Sequence, residues 1–272
     1  MVTELPRRTS FSGPALVRLL SRLARVEVTE PRQPPAARLD EWLGWAESIQ
    51  LSKVLNAAAP SSAVQRGAGA GAGGSDGNAD IIDVIELARA EYTRVRATLE
   101  QAIAAAVAPP AAVPALQRRQ FRGAPKVMGD VDFPSYRRRY SLLQQKMESG
   151  IAALRGHLRG LLAARSLESA RLAAMDAAME QALAEHELRL LMGVPRLLES
   201  HFERLRHDSQ AAAREESGAQ ARDDPSLPDA RAGAWLDTFR HDMGQVMRAE
   251  LDLRLQPVEG MLSAISIEQN TL

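Results

Sequence analysis

The chain is 272 residues long and carries 34 basic and 34 acidic side chains, so its formal net charge is zero. With no cysteine it has no disulfide framework, thiolate nucleophile or cysteine zinc site. Its 46 alanines, against only 11 aromatic residues, argue for helices and against a sheet-based fold. In chain order, Ser12-Gly13-Pro14 reads as a helix start, and Leu16, Leu19, Leu20 and Leu23 recur at three- and four-residue intervals, predicting a first helix over 14–26. The proline cluster Pro31/Pro34/Pro35 ends it. Leu39, Trp42, Leu43 and Ala46 then predict a second helix to about Asn56, with a break near Ile49 and a Trp42/Trp45 pair. Residues 57–79, rich in alanine, glycine and serine, read as a disordered linker after an N-terminal helical region over 1–56.

Asp80 is the expected cap of the next helix, in which Ile81, Ile85, Ala88, Tyr92, Val95, Leu99 and Ala102 form a seven-residue apolar repeat of the coiled-coil type. The pattern stops before Pro109, and residues 109–131 read as a basic, irregular connector. No proline occurs between Pro134 and Met192. Tyr136, Tyr140, Leu143, Met147, Leu154 and Leu161 keep a helical spacing that shifts phase near Arg165 to Glu168. Unbroken, that stretch would be roughly 88 Å long at 1.5 Å per residue. Either the protein is elongated or the helix breaks at Gly150, Gly156 or Gly160; the elongated form is the one expected. Residues 80–207 form the predicted long-helix core, its last short helix ending near His207, and 208–230 a second flexible linker. A C-terminal helical region over 231–272 carries Trp235, Phe239, Met243, Val246 and Met247, with Pro257 bending or ending its helix before a last stripe of Val258, Met261, Leu262 and Ile265. The fold expected is all-α: an elongated, coiled-coil-like bundle of long antiparallel helices. Leu16, Leu20, Leu23, Trp42, Ile85, Tyr92, Leu99, Tyr140, Leu143, Met147, Leu154, Trp235, Phe239 and Met243 are its packing or oligomer seam, and the seams also suggest a homo-oligomer.

Net neutrality hides a dipole: residues 118–171 carry +8 and residues 172–272 carry −8. The basic part holds Arg118, Arg119, Arg122, Lys126, Arg137, Arg138, Arg139, Lys146, Arg155 and Arg159 around Phe121, Phe133, Tyr136 and Tyr140. Guanidinium suits bidentate phosphate contact, so these ten are the candidate nucleic-acid-binding residues, with any contact directed to the backbone. Arg137 to Arg139 span about 200° of a helix and cannot all face one groove. The competing assignment is a solvated helix paired against the acidic C-terminal third, within one chain or across an oligomer.

Other motifs carry little chemistry. Gly69-Ala-Gly71-Ala-Gly-Gly74 matches a dinucleotide fingerprint in letters but has no strand before it, so it reads as linker. His157, His186, His201, His207 and His241 show no metal-ligand spacing, and no GxSxG context occurs. Gly156 and Gly160 could permit a close helix crossing. Pro6-Arg7-Arg8-Thr9-Ser10-Phe11 resembles a twin-arginine signal, but Arg18, Arg22 and Arg25 interrupt the apolar run that should follow. A cytoplasmic protein without membrane insertion, catalytic residues, metal or cofactor is expected.

The run Arg8-Thr-Ser-Phe-Ser-Gly-Pro-Ala-Leu-Val-Arg-Leu-Leu20, the stretch Ala37-Arg-Leu-Asp-Glu-Trp-Leu-Gly-Trp45 leading to Leu51-Ser-Lys-Val-Leu-Asn56, Phe133-Pro-Ser-Tyr-Arg-Arg-Arg-Tyr140 and Trp235-Leu-Asp-Thr-Phe-Arg-His-Asp-Met243 together resemble a proteobacterial family of unknown function. That family includes the ZorF-type cytosolic component of type III Zorya anti-phage defence systems. The resemblance implies a subunit without recognisable catalytic residues. It would join a ZorG-like cytosolic protein and act downstream of a ZorA/ZorB-like proton-driven membrane motor against invading double-stranded DNA. The alternative is a structural coiled-coil adaptor that self-associates through its basic and acidic sections without binding DNA.

Overall fold

The computed structural model describes residues 14–26, 33, 35–56, 76–109, 132–219 and 228–267. They form an all-α fold with no strand among them, built from α1 (Ala15–Ala24), α2 (Pro35–Trp42), α3 (Trp45–Asn56), α4 (Asp76–Val107), α5 (Phe133–Arg165), α6 (Leu167–Leu191), α7 (Val194–Ala219) and α8 (Pro228–Ile267). Most of the linker over 57–79 and of the connector over 109–131, with the glycine-rich motif, lies outside the described residues.

Three long helices make the centre. The pairs Arg96–Asp252 and Tyr92–Glu259 run α4 antiparallel to α8, whereas Tyr136–Arg240 and Tyr140–Glu250 run α5 parallel to α8. On α5 the buried positions Phe133, Tyr136, Tyr140, Leu143, Met147, Ile151, Leu154, Leu158 and Leu162 repeat every three or four residues, one continuous stripe of a 3.6-residue helix. The predicted seam residues other than Trp42 lie in the core or against it. Leu16, Leu23, Ile85, Leu99, Tyr140, Leu143, Met147, Leu154, Phe239 and Met243 are buried, and Leu20, Tyr92 and Trp235 are partly buried against them. The seam is therefore packed within one chain. Phe133, Tyr136, Phe202, Trp235 and Phe239 gather where α5, α7 and α8 meet, with ring centroids 5.0 to 6.3 Å apart. These separations lie in the range of tilted and edge-to-face aromatic pairs.

Several boundaries differ from the sequence reading. The stretch 134–192 is not one rod. Ser166 is extended (φ −148°, ψ 164°), and its side chain accepts the Ser169 N–H at 3.1 Å to cap α6, which folds back antiparallel along α5. Gly150, Gly156 and Gly160 stay inside α5, and a Cβ on Gly156 or Gly160 would meet nothing within 4 Å, so these two glycines make no close crossing. The break expected near Ile49 falls at Leu43-Gly44. Helix α4 begins at Asp76, ahead of Asp80. Residues 208–219, expected to be linker, continue α7: Ala211 to Ala213 are strong helix formers, and the punctuating Gly218 comes only at the end. Pro257 does not end α8, which spans 40 residues, about 60 Å at the usual rise.

Helix α1 lies across α7 and α8. It ends in a Schellman turn: Arg25 adopts φ 55°, its N–H bonds the Arg22 carbonyl, and the Val26 N–H bonds the Ser21 carbonyl. Arginine in this left-handed conformation is strained relative to glycine, and the Arg204 guanidinium donates to the Leu23 carbonyl beside this turn.

Candidate functional site

The ten candidate cations separate into groups. Arg118, Arg119, Arg122 and Lys126 lie outside the described residues. Arg137, Arg138 and Lys146 fall off the buried stripe of α5 and are exposed. Arg139, on the flank, turns toward the end of α4, where its Nη1 donates to the carbonyls of Ala106 (3.3 Å) and Ala108 (3.2 Å) and its guanidinium lies 5.6 Å from the Tyr136 ring centroid. This satisfies carbonyls that a helix C-terminus leaves without partners.

Arg155 and Arg159 are one helical turn apart and face Asp176 and Glu180, also one turn apart, across the α5–α6 hairpin. Arg155 Nη2 meets Asp176 Oδ1 at 2.6 Å and its Nη1 meets Glu180 at 3.1 Å; Arg159 Nε donates to Asp176 Oδ2 at 2.7 Å and its Nη2 contacts Glu180. Both Arg155 and Asp176 are largely buried. The hydrogen bonds to these carboxylates outweigh burial and raise the Arg159 pKa. These two cations serve the fold, matching part of the basic section with part of the acidic one.

Sequence reasoning missed the most buried charge. Glu250 on α8 is 1% exposed. It accepts from the Tyr140 hydroxyl at 2.6 Å, from Gln144 Nε2 at 3.1 Å and from Arg254 Nε at 3.1 Å, and Arg254 Nη1 reaches Glu187 on α6 at 3.2 Å. Burial, and then the Glu250 charge, push the Tyr140 phenol well above its ordinary pKa. The signal was available: Met243, Val246, Met247 and Glu250 share one helical phase, so the carboxylate had to enter the core with them.

The histidines are dispersed. His201 is buried between Asp242, 2.9 Å from its Nε2, and Arg204, whose Nη2 lies 3.0 Å from its Nδ1. Arginine can only donate, so Nδ1 accepts from Arg204 and Nε2 faces Asp242, bridging α7 and α8. His157 contacts Glu91, and His186 stacks on Trp42 with centroids 5.5 Å apart. The expected Trp42/Trp45 pair is split: Trp42 is half-buried on α6, while Trp45 is 84% exposed. No group of three or more histidine, aspartate or glutamate side chains suited to a metal gathers among the described residues. A cleft of about 490 Å³ opens between α5, α6 and α8 beside Trp42. No helix among the described residues is long and apolar enough to cross a membrane.

An all-α bundle with internally paired charges and an exposed basic helix end is the class these features define. The chain belongs to the family described as "Protein of unknown function (DUF3348)", whose model matches residues 2–267. No curated protein and no solved structure matches it.

Proposed function

We propose that the chain is a non-catalytic cytoplasmic component of a type III Zorya-like anti-phage defence system. In this reading it assembles with a ZorG-like protein, acts with a ZorA/ZorB-like proton-driven motor and contacts double-stranded DNA through its phosphates. The resemblance of the segments around Arg8–Leu20, Ala37–Trp45, Phe133–Tyr140 and Trp235–Met243 supports the defence assignment. The observation that carries the DNA contact is the exposed Arg137 and Arg138 in the first turns of α5, directly after the basic stretch from Arg118 to Lys126. Cations held outward on a fixed helix can meet phosphates without reordering the core.

The test is a duplex-DNA mobility shift with the full-length protein, alone and with a ZorG-like partner. Binding at low salt that is weakened by R137E/R138E supports the reading; no binding by either sample removes the DNA contact. The adaptor alternative needs opposite charges to mate between copies. Arg155 and Arg159 already meet Asp176 and Glu180 within one chain. A salt-dissociated oligomer without DNA affinity, measured by light scattering, would restore that alternative.

A further inference from the structure

Helix α1 has 10 residues, fewer than an isolated helix needs to persist in water, so its order depends on docking. Leu16 and Leu23 supply buried contacts, with Leu19 and Leu20 partly buried beside them. Two polar anchors fasten its C-terminal half, and each ends on an imidazole nitrogen. At the first, a single nitrogen, Arg204 Nη2, donates both to the Leu23 carbonyl and to His201 Nδ1, 3.0 Å away. At the second, Arg22 Nη2 donates to Gln245 Oε1 at 3.2 Å, and Gln245 Nε2 lies 2.6 Å from His241 Nε2. Arginine only donates, which fixes Gln245 Oε1 as the acceptor and its Nε2 as the donor toward His241. Both imidazoles therefore turn a lone pair, not a proton, toward the anchor of α1.

We infer that α1 is a pH-sensitive strap, docked while these two imidazole nitrogens are unprotonated and loosened when they take up protons. Histidine is the side chain whose charge changes between pH 5 and 8. A proton on His201 Nδ1 turns an acceptor into a donor aimed at a guanidinium, so Arg204 Nη2 must move and the Leu23 contact goes with it. Asp242 of α8, with Oδ2 2.9 Å from His201 Nε2, holds the charged ring in place, so the guanidinium is the group that yields. A proton on His241 Nε2 likewise opposes the Gln245 amide, whose carbonyl holds Arg22. The charged groups facing the pair are Asp242 on α8, Arg204 on α7 and Arg22 on α1, the last 4.0 Å from Asp242 Oδ1. Along the same stretch of α8, Asp237 pairs with Arg240, and Arg248 with Glu100 of α4. The loosened strap binds more protons than the docked one, so docking is complete above the histidine range and is lost as pH falls through it. The inference stands apart from the defence assignment and from DNA contact.

The experiment is amide hydrogen exchange of the full-length protein, read by mass spectrometry at about pH 7.5 and about pH 5.5 and expressed as protection factors, so that the pH dependence of chemical exchange cancels. Peptides from α1 report the strap, and peptides from the middle of α5 report the core. Protection of α1 relative to α5 should fall about fivefold at the lower pH. H201N/H241Q sets an amide oxygen that takes up no proton in place of each accepting nitrogen, and should keep α1 protected at both pH values. R204A removes the first anchor and should leave α1 at the higher pH as weakly protected as the parent at the lower. Unchanged circular dichroism and α5 protection show that the variants fold, and the parent and R204A keep the test intact if the double variant does not. Parent α1 protection that ignores pH, a pH response that survives in folded H201N/H241Q, or R204A matching the parent at the higher pH would each overturn the inference.

Discussion

Glu250 sits in the core with three donors around it, and its geometry decides what substitution does. Tyr140→Phe removes the phenol and leaves the carboxylate to Gln144 and Arg254, an expected loss of about 1–3 kcal/mol near neutral pH. The same change alters the alkaline limb. The native phenol holds its proton above the ordinary tyrosine value of 10.0, first through burial and then through the Glu250 charge. Below pH 10 both folded and unfolded chains are protonated and this contribution is fully present. Above it the unfolded chain ionises first, so stability is lost as pH rises toward the native pKa. Thermal melts from pH 7 to 11 should show Tyr140→Phe less stable at neutrality but with a shallower alkaline decline than the parent. Identical alkaline slopes would mean the phenol is not held as described. At this scale the sequence was half legible. Tyr140 was recognised by its ring, as a seam residue, but its hydroxyl had no visible partner, because Glu250 is 110 positions away and reaches it only through the parallel packing of α5 and α8.

Among the elements, the α5–α6 hairpin shows why periodicity reveals helices better than their ends. The apolar spacing of 134–192 marked helix on both sides of a phase shift near Arg165, where α5 ends, but the buried positions of α6 are Ser169, Ala173 and Leu191. The glycines drew attention as breakers although an exposed helix face tolerates them at about 1 kcal/mol each. Ser166 ends α5 because it can cap α6, a local hydrogen bond that apolar periodicity does not register. Across the hairpin, Asp176 binds both Arg155 and Arg159. Asp176→Ala leaves two guanidiniums with Glu180 alone. The expected loss is about 2–3 kcal/mol, below the 3–5 kcal/mol of a fully buried pair because the site is partly open. A double-mutant cycle with Arg159→Ala, read by urea melts, should show coupling of at least about 0.5 kcal/mol. Additive losses would reduce the clamp to independent surface contacts.

For the whole molecule, the charge dipole read from the sequence is partly folded onto itself. Where α6 lies back along α5, Arg155 and Arg159 of the basic section meet Asp176 and Glu180 of the acidic one. No local pattern distinguishes these arginines from Arg137 and Arg138; only the antiparallel turn at Ser166 decides which cations meet Asp176 and which remain outward. The same turn sets the salt response expected of DNA binding. Each phosphate neutralised contributes about 0.9 to the slope of log affinity against log salt, so R137E/R138E should lower its magnitude by about 2 if both side chains touch phosphate. Arg155→Glu, placed against Asp176 and Glu180, should instead destabilise the hairpin and appear in melting before it appears in binding. Fluorescence anisotropy with duplex DNA across 50–200 mM salt separates the two positions. A slope untouched by R137E/R138E but reduced by Arg155→Glu in a folded protein would place the phosphate contact on the hairpin and reverse the assignment of these cations.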